Sequence, residues 1–563
     1  MDDFTAAIAN QFSLWDWAVV AGYLLLTTAA GHLMRGKQAT IRDFFLGGRS
    51  LPWTAVAGSI IATEISGVTF IGVPGMLFAM NGDFTYLQWA IGSIIARVIV
   101  GFFFVRVYYE QEIYSPYDYM GLRLGNAAKT MATVLFTVGS ILAQSVRVLV
   151  AAIPLKVVTG LPMEVCIIAI GLFAVIWTLM GGMRTVIWTD VMQFGLFAFG
   201  GLTAFLWIVT SLDGGLSDFW HTASEYGRLK LWNLSIDKEL EFTLWVALLA
   251  VPFQNLGIYG TDQLMAQRMF CCRDASAARK AIIFSCTGQA LTLLMLLVGA
   301  ALFVHYQEHP FTDPELATLF EADASKVEEI RNTATLIENP VTHAKSAVIK
   351  PAKPDYIFPM WIVTELPRGL SGLILAAVFA AAISSLDSIL AALSQTTLSL
   401  IYHPERGEVA ISEQALLRRS RILVIMWGII LTVFTLILKA ARNDIPILPL
   451  AFGMTSYTVG PLLAMFLAAL WGFGKGSMRG IVIGSIVSFL LVMMVRTDVW
   501  ALVLKAKWLT PNQLASLPTY ELSANGESIT STISYVWMWP ITTVITLLCA
   551  WLTRKGSSSQ RPE

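Results

Sequence analysis

The stretch Thr63-Glu64-Ile65-Ser66-Gly67-Val68-Thr69-Phe70-Ile71-Gly72-Val73-Pro74-Gly75 sits inside an apolar run, residues 52–80, that is long enough to cross a bilayer. With Gly58, the run carries glycines and a proline at positions that interrupt a helix. Unwinding a helix at mid-membrane frees backbone carbonyls, which are tolerated only where something takes them up. A second run, 241–266, carries Pro252, Gly257 and Gly260 five spans later. Interruptions at matching positions of two five-span blocks point to a transporter built from inverted repeats, with its site at the breaks.

The rest of the chain agrees with a membrane setting. Its 563 residues are 56% hydrophobic and 13% charged, with a mean hydropathy of +0.66. A soluble domain carries about 25% charged residues, so the chain reads as an all-α polytopic membrane protein. Lys and Arg (38) balance Asp and Glu (38), which leaves no bulk charge for nucleic acid. Apolar runs at 14–34, 52–80, 85–108, 130–158, 162–180, 185–211, 241–266, 281–305, 359–402, 422–440, 445–473, 480–497 and 534–553 predict about thirteen spans. The run 359–402 is too long for one span and must include an interfacial helix or an extension. The polar segments 212–240, 306–357 and 498–533 are too short for separate domains, so residues 1–563 form one membrane unit.

Basic residues collect in one alternate set of loops: Arg35, Lys37, Arg42 and Arg49; Arg268, Arg273, Arg279 and Lys280; Arg406, Arg418, Arg419 and Arg421; Lys475 and Arg479; Arg554 and Lys555. That places the N-terminus, with acidic Asp2-Asp3, outside the cell membrane and the C-terminus in the cytoplasm. None of the five cysteines has metal-site spacing, and the six histidines lie at span ends or in polar loops. A histidine metal centre or an intramembrane enzyme is therefore not expected. A channel would want an open polar lining, and a sensor an attached signalling domain.

Charge inside the membrane costs about 2.5–3.5 kcal/mol per residue, so each such residue asks for a partner or a task. The candidates are Glu64, Arg97, Arg147, Asp190, Asp262 and Asp387. The ninth span reads Ala376-Ala377-Val378-Phe379-Ala380-Ala381-Ala382-Ile383-Ser384-Ser385-Leu386-Asp387-Ser388. Its small residues permit close helix contact, and Ser384, Ser385 and Ser388 add hydroxyls over one turn. A sodium ion needs about five or six oxygens to replace its water. These hydroxyls, facing carbonyls freed in the second span, would furnish them, although a serine in a helix also bonds its own upstream carbonyl.

At this point the chain resembles the sodium/solute symporters, the family of bacterial sugar, sialic acid and proline importers. The resemblance spans roughly residues 40–480 and rests on several motifs in order. They are Asp43-Phe44-Phe45-Leu46-Gly47-Gly48-Arg49, Ser115-Pro116-Tyr117-Asp118-Tyr119, Gly181-Gly182-Met183-Arg184-Thr185-Val186-Ile187-Trp188-Thr189-Asp190-Val191-Met192-Gln193, Gly260-Thr261-Asp262-Gln263 with Gln267-Arg268, and the ninth-span run. Segments 298–310 and 362–385 are similar to sialic acid transporters in particular.

The resemblance implies two inverted five-helix repeats with discontinuous first helices, at 41–211 and 241–473. Residues 1–40 are then a leading accessory helix, and 474–563 hold trailing accessory helices and a short tail. It implies a sodium site from the carbonyls of Ala62, Ile65 and Ala381 and the hydroxyls of Ser384 and Ser385. Some relatives hold a second sodium, which here would fall to Asp190, Ser384 and Ser388, with Asp387 standing where such relatives have a hydroxyl residue. The two carboxylates would hold a cation between them or share a proton; otherwise Asp387 turns away to a cationic partner.

The substrate pocket is expected beside the first ion, lined by Glu64, Ser66, Thr69, Gln88, Gln144, Arg147, Gln254, Asn255 and Tyr259. Arg147 has two readings: ligand for a substrate carboxylate, or counter-ion of Glu64, whose charge would otherwise repel an anion. The counter-ion is preferred, and Arg97 is expected to snorkel or pair within the bundle. The expected activity is sodium-coupled import of a small polar solute. A neutral sugar or sugar derivative comes first, then a sugar acid such as sialic acid, or a zwitterion or carboxylate. The segment 445–461, with Pro446, Pro449, Gly453, Gly460 and Pro461, is the expected gate. Replacing Ser384 and Ser385 together by Ala should abolish sodium-dependent uptake while the protein still folds; unchanged sodium dependence in the double variant refutes the ion site.

Overall fold

In the computed structural model, residues 7–34, 46–401, 413–441, 446–522 and 529–554 are described, apart from positions 80, 112, 114, 180, 181, 340–342 and 344. Asp2, Asp3, Asp43, Phe44, Phe45 and Gly181, and the loop cations Arg35, Lys37, Arg42, Arg406 and Lys555, lie outside the described residues. Eleven helices among the described residues are long and apolar enough to cross a membrane, and a bent pair, Trp53–Glu64 with Val68–Phe78, makes a twelfth. The 16-residue apolar helix Met163–Thr178 takes the place of the fifth expected span.

The helices that form and flank the site are α1 (Leu14–Met34), α2 (Trp53–Glu64), α3 (Val73–Phe78), α4 (Trp89–Ile99), α5 (Asn126–Thr159), α6 (Met163–Thr178), α7 (Met183–Ser211), α8 (Val251–Leu256), α9 (Gln263–Phe270), α10 (Gln289–Glu308), α11 (Leu370–Ile401), α12 (Ile447–Thr455) and α13 (Val459–Leu470). The overlong run 359–402 divides into Ile357–Thr364 and α11, separated by Pro367 and by Gly369 at φ +88°, a conformation that suits glycine. Two small antiparallel hairpins, Leu336–Glu338 with Lys345–Ile349 and Tyr520–Leu522 with Ile529–Ser531, lie in the polar segments.

The second span breaks where the glycines predicted. Ile65 N–H still closes a helical bond to Ile61 (2.8 Å), but Ser66 N–H turns to the Glu64 carbonyl (3.0 Å) instead of that of Ala62. The Ser66 hydroxyl accepts from Val68 N–H (3.3 Å), and the chain resumes as a wide turn, Val68–Gly72, and then α3. The two halves differ in direction by 52°. The seventh span breaks likewise: α8 runs into a wide turn, Gly257–Thr261, then Asp262 is extended (φ −78°, ψ 129°) and its carboxylate caps α9 at Leu264 N–H (2.8 Å). Both glycines of that turn are forced by packing, since a Cβ on Gly260 would lie 2.3 Å from Phe104 and one on Gly257 2.5 Å from Val459.

Helix α11 is the axis of the molecule. Of its most apolar stretch 94% is buried, against 17% for α1, which puts α11 at the core and α1 at the periphery. The break in the second span lies directly on α11: a Cβ on Gly67 would stand 3.6 Å from that of Ala382. On the far side of the break, Gly72 packs against Ile447 of α12 and Gly75 against the backbone of Pro354. The end of α3 is tied by Arg228, whose Nη1 donates to the carbonyls of Leu77 (2.8 Å), Ala79 (2.6 Å) and Gly82 (3.0 Å). A cation at a helix C-terminus meets the negative end of its dipole. Asp16 of α1 caps the start of α11 through Gly369 N–H (2.6 Å) and Gly372 N–H (3.0 Å).

The polar segment 306–357 is pinned by Glu321, which accepts from Lys156 (2.5 Å) and Lys353. Burial raises its carboxyl, but the two ammonium groups outweigh that and hold it at about 2. The expected gate segment is itself divided, with α12 and α13 separated at residues 456–458. Close packing makes a further prediction. A Cβ on Gly92 of α4 would lie 2.2 Å from the Ala247 carbonyl and 2.8 Å from Val251. Gly92→Ala should therefore cost about 1–3 kcal/mol, read as a lower thermal midpoint of the purified protein.

Candidate functional site

Asp190, fully buried on α7, gathers three other helices. Its Oδ1 accepts from Ser384 Oγ of α11 (2.5 Å), and its Oδ2 from Ser59 Oγ of α2 (2.5 Å) and Arg268 Nη2 of α9 (3.1 Å). The Arg268 guanidinium also reaches Ser59 Oγ through Nε (2.9 Å), the Leu264 carbonyl through Nη1 (2.8 Å) and Ser388 Oγ through Nη2 (2.5 Å). Arg268 was expected among the loop cations; it is buried instead and takes no part in setting orientation. It is also the main residue that sequence reading missed. The available signal was Asp190 itself, since a mid-span carboxylate demands a counter-ion and the Gln267-Arg268 motif lies at the end of a span.

One turn away, Ser385 Oγ donates to the Ala382 carbonyl (3.0 Å). With Ser384 bonded to Asp190, both hydroxyl hydrogens are committed away from the break in the second span. Their oxygens keep lone pairs, which is what a cation needs. Ala62, Ile65, Ala381, Ser384 and Ser385 are all buried, and the Gly67–Ala382 contact brings the break and the serine turn together. The second expected set converges as well, except that the guanidinium of Arg268 stands among Asp190, Ser59 and Ser388.

The charges around the expected substrate pocket are paired differently from the sequence expectation. The counter-ion of Glu64 is Arg97 of α4, not Arg147. Arg97 also binds the Tyr259 hydroxyl and lies 4.4 Å from the centroid of its ring, while Gln289 Nε2 donates to Glu64 Oε1 (3.0 Å). Arg97 lies on the helix that packs against α8 and so comes between the two broken spans. Arg147, half-buried on α5, makes no ion pair among the described residues and only a 3.5 Å contact with the Thr63 carbonyl, at the limit of a hydrogen bond. Gln144, one turn earlier, is buried with its Oε1 unpartnered among the described residues.

The other lining candidates have structural partners. Gln88 donates to the carbonyls of Thr85 (3.1 Å) and Phe242 (3.3 Å) and accepts from Asn233 N–H (3.3 Å), which ties it to the 231–242 loop. Asn255 accepts from Ser93 (3.1 Å) and donates to Val251 (3.1 Å). Gln254 reaches Thr455 of α12 (3.4 Å). Ser66 caps the break and Thr69 is buried in the turn after it. The motif Ser115-Pro116-Tyr117 is structural too: Ser115 caps its helix at Tyr117 N–H (3.0 Å), and the Tyr117 hydroxyl accepts from Gln263 N–H (3.2 Å).

Two broken spans facing a buried serine-bearing helix, with hydroxyl lone pairs and, beside the break in the second span, a guanidinium that has no ion pair among the described residues, define a secondary transporter of the inverted-repeat type. The model of the sodium:solute symporter family matches residues 44–487, and the chain belongs to that family, with sodium as its ion. Sodium-coupled monocarboxylate transporter 1 of Homo sapiens is 26% identical over 495 residues, covering 85% of this chain and 73% of its own. The sodium/sialic acid symporter of Proteus mirabilis is 26% identical over 491 residues, covering 86% and 90%. The substrate-bound, outward-open structure of a Na+-coupled sialic acid symporter matches 96% of this chain and 98% of that one with a TM-score of 0.73 at 23% identity. It shows the shared fold.

The reassigned pair can be measured. In a double-mutant cycle on stability, Glu64→Gln and Arg97→Gln should be strongly non-additive, because breaking a buried pair costs about 3–5 kcal/mol. Glu64→Gln with Arg147→Gln should be additive to within about 0.5 kcal/mol. Strong coupling of Glu64 to Arg147 would restore the original assignment.

Proposed function

We propose that this chain imports a small organic carboxylate together with sodium across the cell membrane. The carrying observation is Arg147: with Glu64 already neutralised by Arg97, its guanidinium is left beside the break without an ion pair among the described residues. A planar fork of donors suits a carboxylate, and the unpartnered Gln144 Oε1 on the same face of α5 suits a hydroxyl or amide donor on the same solute. The sequence favoured a neutral sugar because Glu64 lacked another partner, and the Arg97 pair removes that reason. The relatives carry monocarboxylates and sialic acid in their names, and both kinds of solute present a carboxylate.

In this reading sodium binds the carbonyls of Ala62, Ile65 and Ala381 and the hydroxyls of Ser384 and Ser385. It ties α2 to α11 and so fixes the break next to Arg147; each ligand then binds better with the other present. Arg268 takes the position of a second cation, which makes the stoichiometry one sodium per cycle. The repeats run over 41–211 and 241–473, and the N-terminus faces outside. One ion crossing 100 mV releases about 2.3 kcal/mol, and a tenfold gradient adds about 1.4 kcal/mol. Together they support accumulation of a few hundred-fold.

The test is uptake into proteoliposomes of labelled lactate and sialic acid against labelled glucose, with a sodium gradient. Sodium-driven uptake of a carboxylate is expected. Arg147→Gln should raise its KM by about 10–150-fold, the worth of a hydrogen bond to a charged group, and leave the sodium dependence of thermal stability in place. Uptake of glucose alone, unaffected by Arg147→Gln, would overturn the reading.

A further inference from the structure

We infer that a cavity behind α5, beside the segment 306–357, is a site for the headgroup of a zwitterionic phospholipid, with phosphatidylethanolamine as the fitting case. The cavity encloses about 300 Å³, at the lower end of the range of about 300–1,000 Å³ that holds small ligands. It is separate from the expected solute pocket. Leu149 and Lys156 line it and stand two turns apart on one side of α5, whereas Arg147 lies about 200° round the helix from Leu149. The site therefore stands or falls independently of the proposed transport.

The rim of the cavity is charged, and its charges balance: Lys156, Lys353 and Lys439 face Glu164, Glu321 and Asp355. Glu321 accepts from Lys156 (2.5 Å) and Lys353, and Glu164 from Lys439. Asp355 is engaged at the start of α12, where it accepts from Ile447 N–H (3.3 Å). An ammonium carries three hydrogens, and each of these lysines meets one carboxylate oxygen among the described residues. Donors are therefore left over for a phosphate. The Glu164 side chain is half exposed at the rim, and a carboxylate has about four acceptor sites, so it has room for a second ammonium beside that of Lys439. A phosphate joined to an amine meets both signs at once. A purely anionic headgroup would face Glu164 and Glu321 with no cation to offer them.

Polarity falls with depth, as it does across one leaflet of a bilayer. Lys156 lies in the last turn of α5, and Leu149 lies about 10 Å nearer the middle of the membrane; Met163 and Pro446 add to the apolar lining. The mouth leads onto helix faces that meet lipid. On α6, Glu164 begins a row at four-residue spacing, Ile168, Leu172 and Ile176, which are 51%, 60% and 53% exposed. The helix Glu413–Ala441, whose last turn carries Lys439, exposes Ile429, Val433 and Ile437. The two helices pack together, Gly171 against Thr432 and Gly428 against Val175. A headgroup in the cavity thus has its acyl chains beside an apolar surface that starts at Glu164, its own ligand. Lysines at helix ends suit that level, because their stems lie along apolar surface while the charge reaches the polar layer.

The test is the thermal midpoint of the full chain, purified in detergent and stripped of lipid, as dioleoyl phosphatidylethanolamine, phosphatidylglycerol or phosphatidylcholine is added in mixed micelles. The ethanolamine lipid should raise the midpoint at the lowest concentration of the three. Lys353→Gln with Lys439→Gln should weaken its apparent affinity by about tenfold or more, the worth of hydrogen bonds to a charged group. Lys439→Gln alone, at the exposed rim, serves if the double variant does not fold. Glu164→Gln should move the preference from the ethanolamine to the glycerol lipid. Because the readout is the response to lipid and not the starting midpoint, loss of an ion pair does not by itself mimic the effect. Equal responses to the three lipids, no response to any, a wild-type preference for the glycerol lipid, or variants that respond as the wild type does would each overturn the site. Inorganic phosphate or glycerophosphoethanolamine that reproduces the full shift would also overturn it, by giving the cavity to a soluble ligand.

Discussion

The constraint on which the rest depends is the meeting of an unwound helix with a helix of small residues. A membrane helix cannot open its backbone to lipid, so the break at residues 65–67 must be covered by protein or by cargo. Gly67 lets it lie on Ala382 at van der Waals distance. The alanines and serines of α11 leave room for that approach, and the serine oxygens keep lone pairs beside it. The steep difference in burial between α11 and α1 goes with it, because the surrounding helices cover this seam.

Charge inside the seam is organised in two separate circuits. Asp190, Arg268, Ser59 and Ser388 link α7, α9, α2 and α11, a closed pair that joins the two broken spans on one side of the break. Glu64, Arg97, Tyr259 and Gln289 link α2, α4, the seventh-span turn and α10 on the other. Buried pairs of this kind add little net stability, but they hold the helices in register. With both acids of these circuits matched to arginines, Arg147, Asp262 and Asp387 make no ion pair among the described residues. Asp262 is used as a helix cap, and the guanidinium of Arg147 lies beside the break.

Much of the fold was legible because hydropathy in a membrane is a strong and local signal: spans, breaks and the polar segments between them follow from runs of residue types. The ninth-span serines were legible for the same reason, since hydroxyls concentrated in one turn stand out against an apolar background. Pairing was not legible. Glu64 and Arg147 are near in any sketch of the site, yet Arg97 reaches Glu64 first because α4 packs on α8 through Gly92. Arg268 looked like a loop cation because it follows a span; the extended Asp262 restarts a helix there and carries it back into the core.

By itself the sequence determined the membrane setting, the order of the spans, the two interruptions and the hydroxyl cluster, because each depends on neighbours along the chain. Only the tertiary structure decided which charge meets which, since an ion pair depends on the distance between helices far apart in sequence. That decision, made by side chains packing at glycine contacts, pairs Glu64 with Arg97 and Asp190 with Arg268 and leaves Arg147 without an ion pair among the described residues.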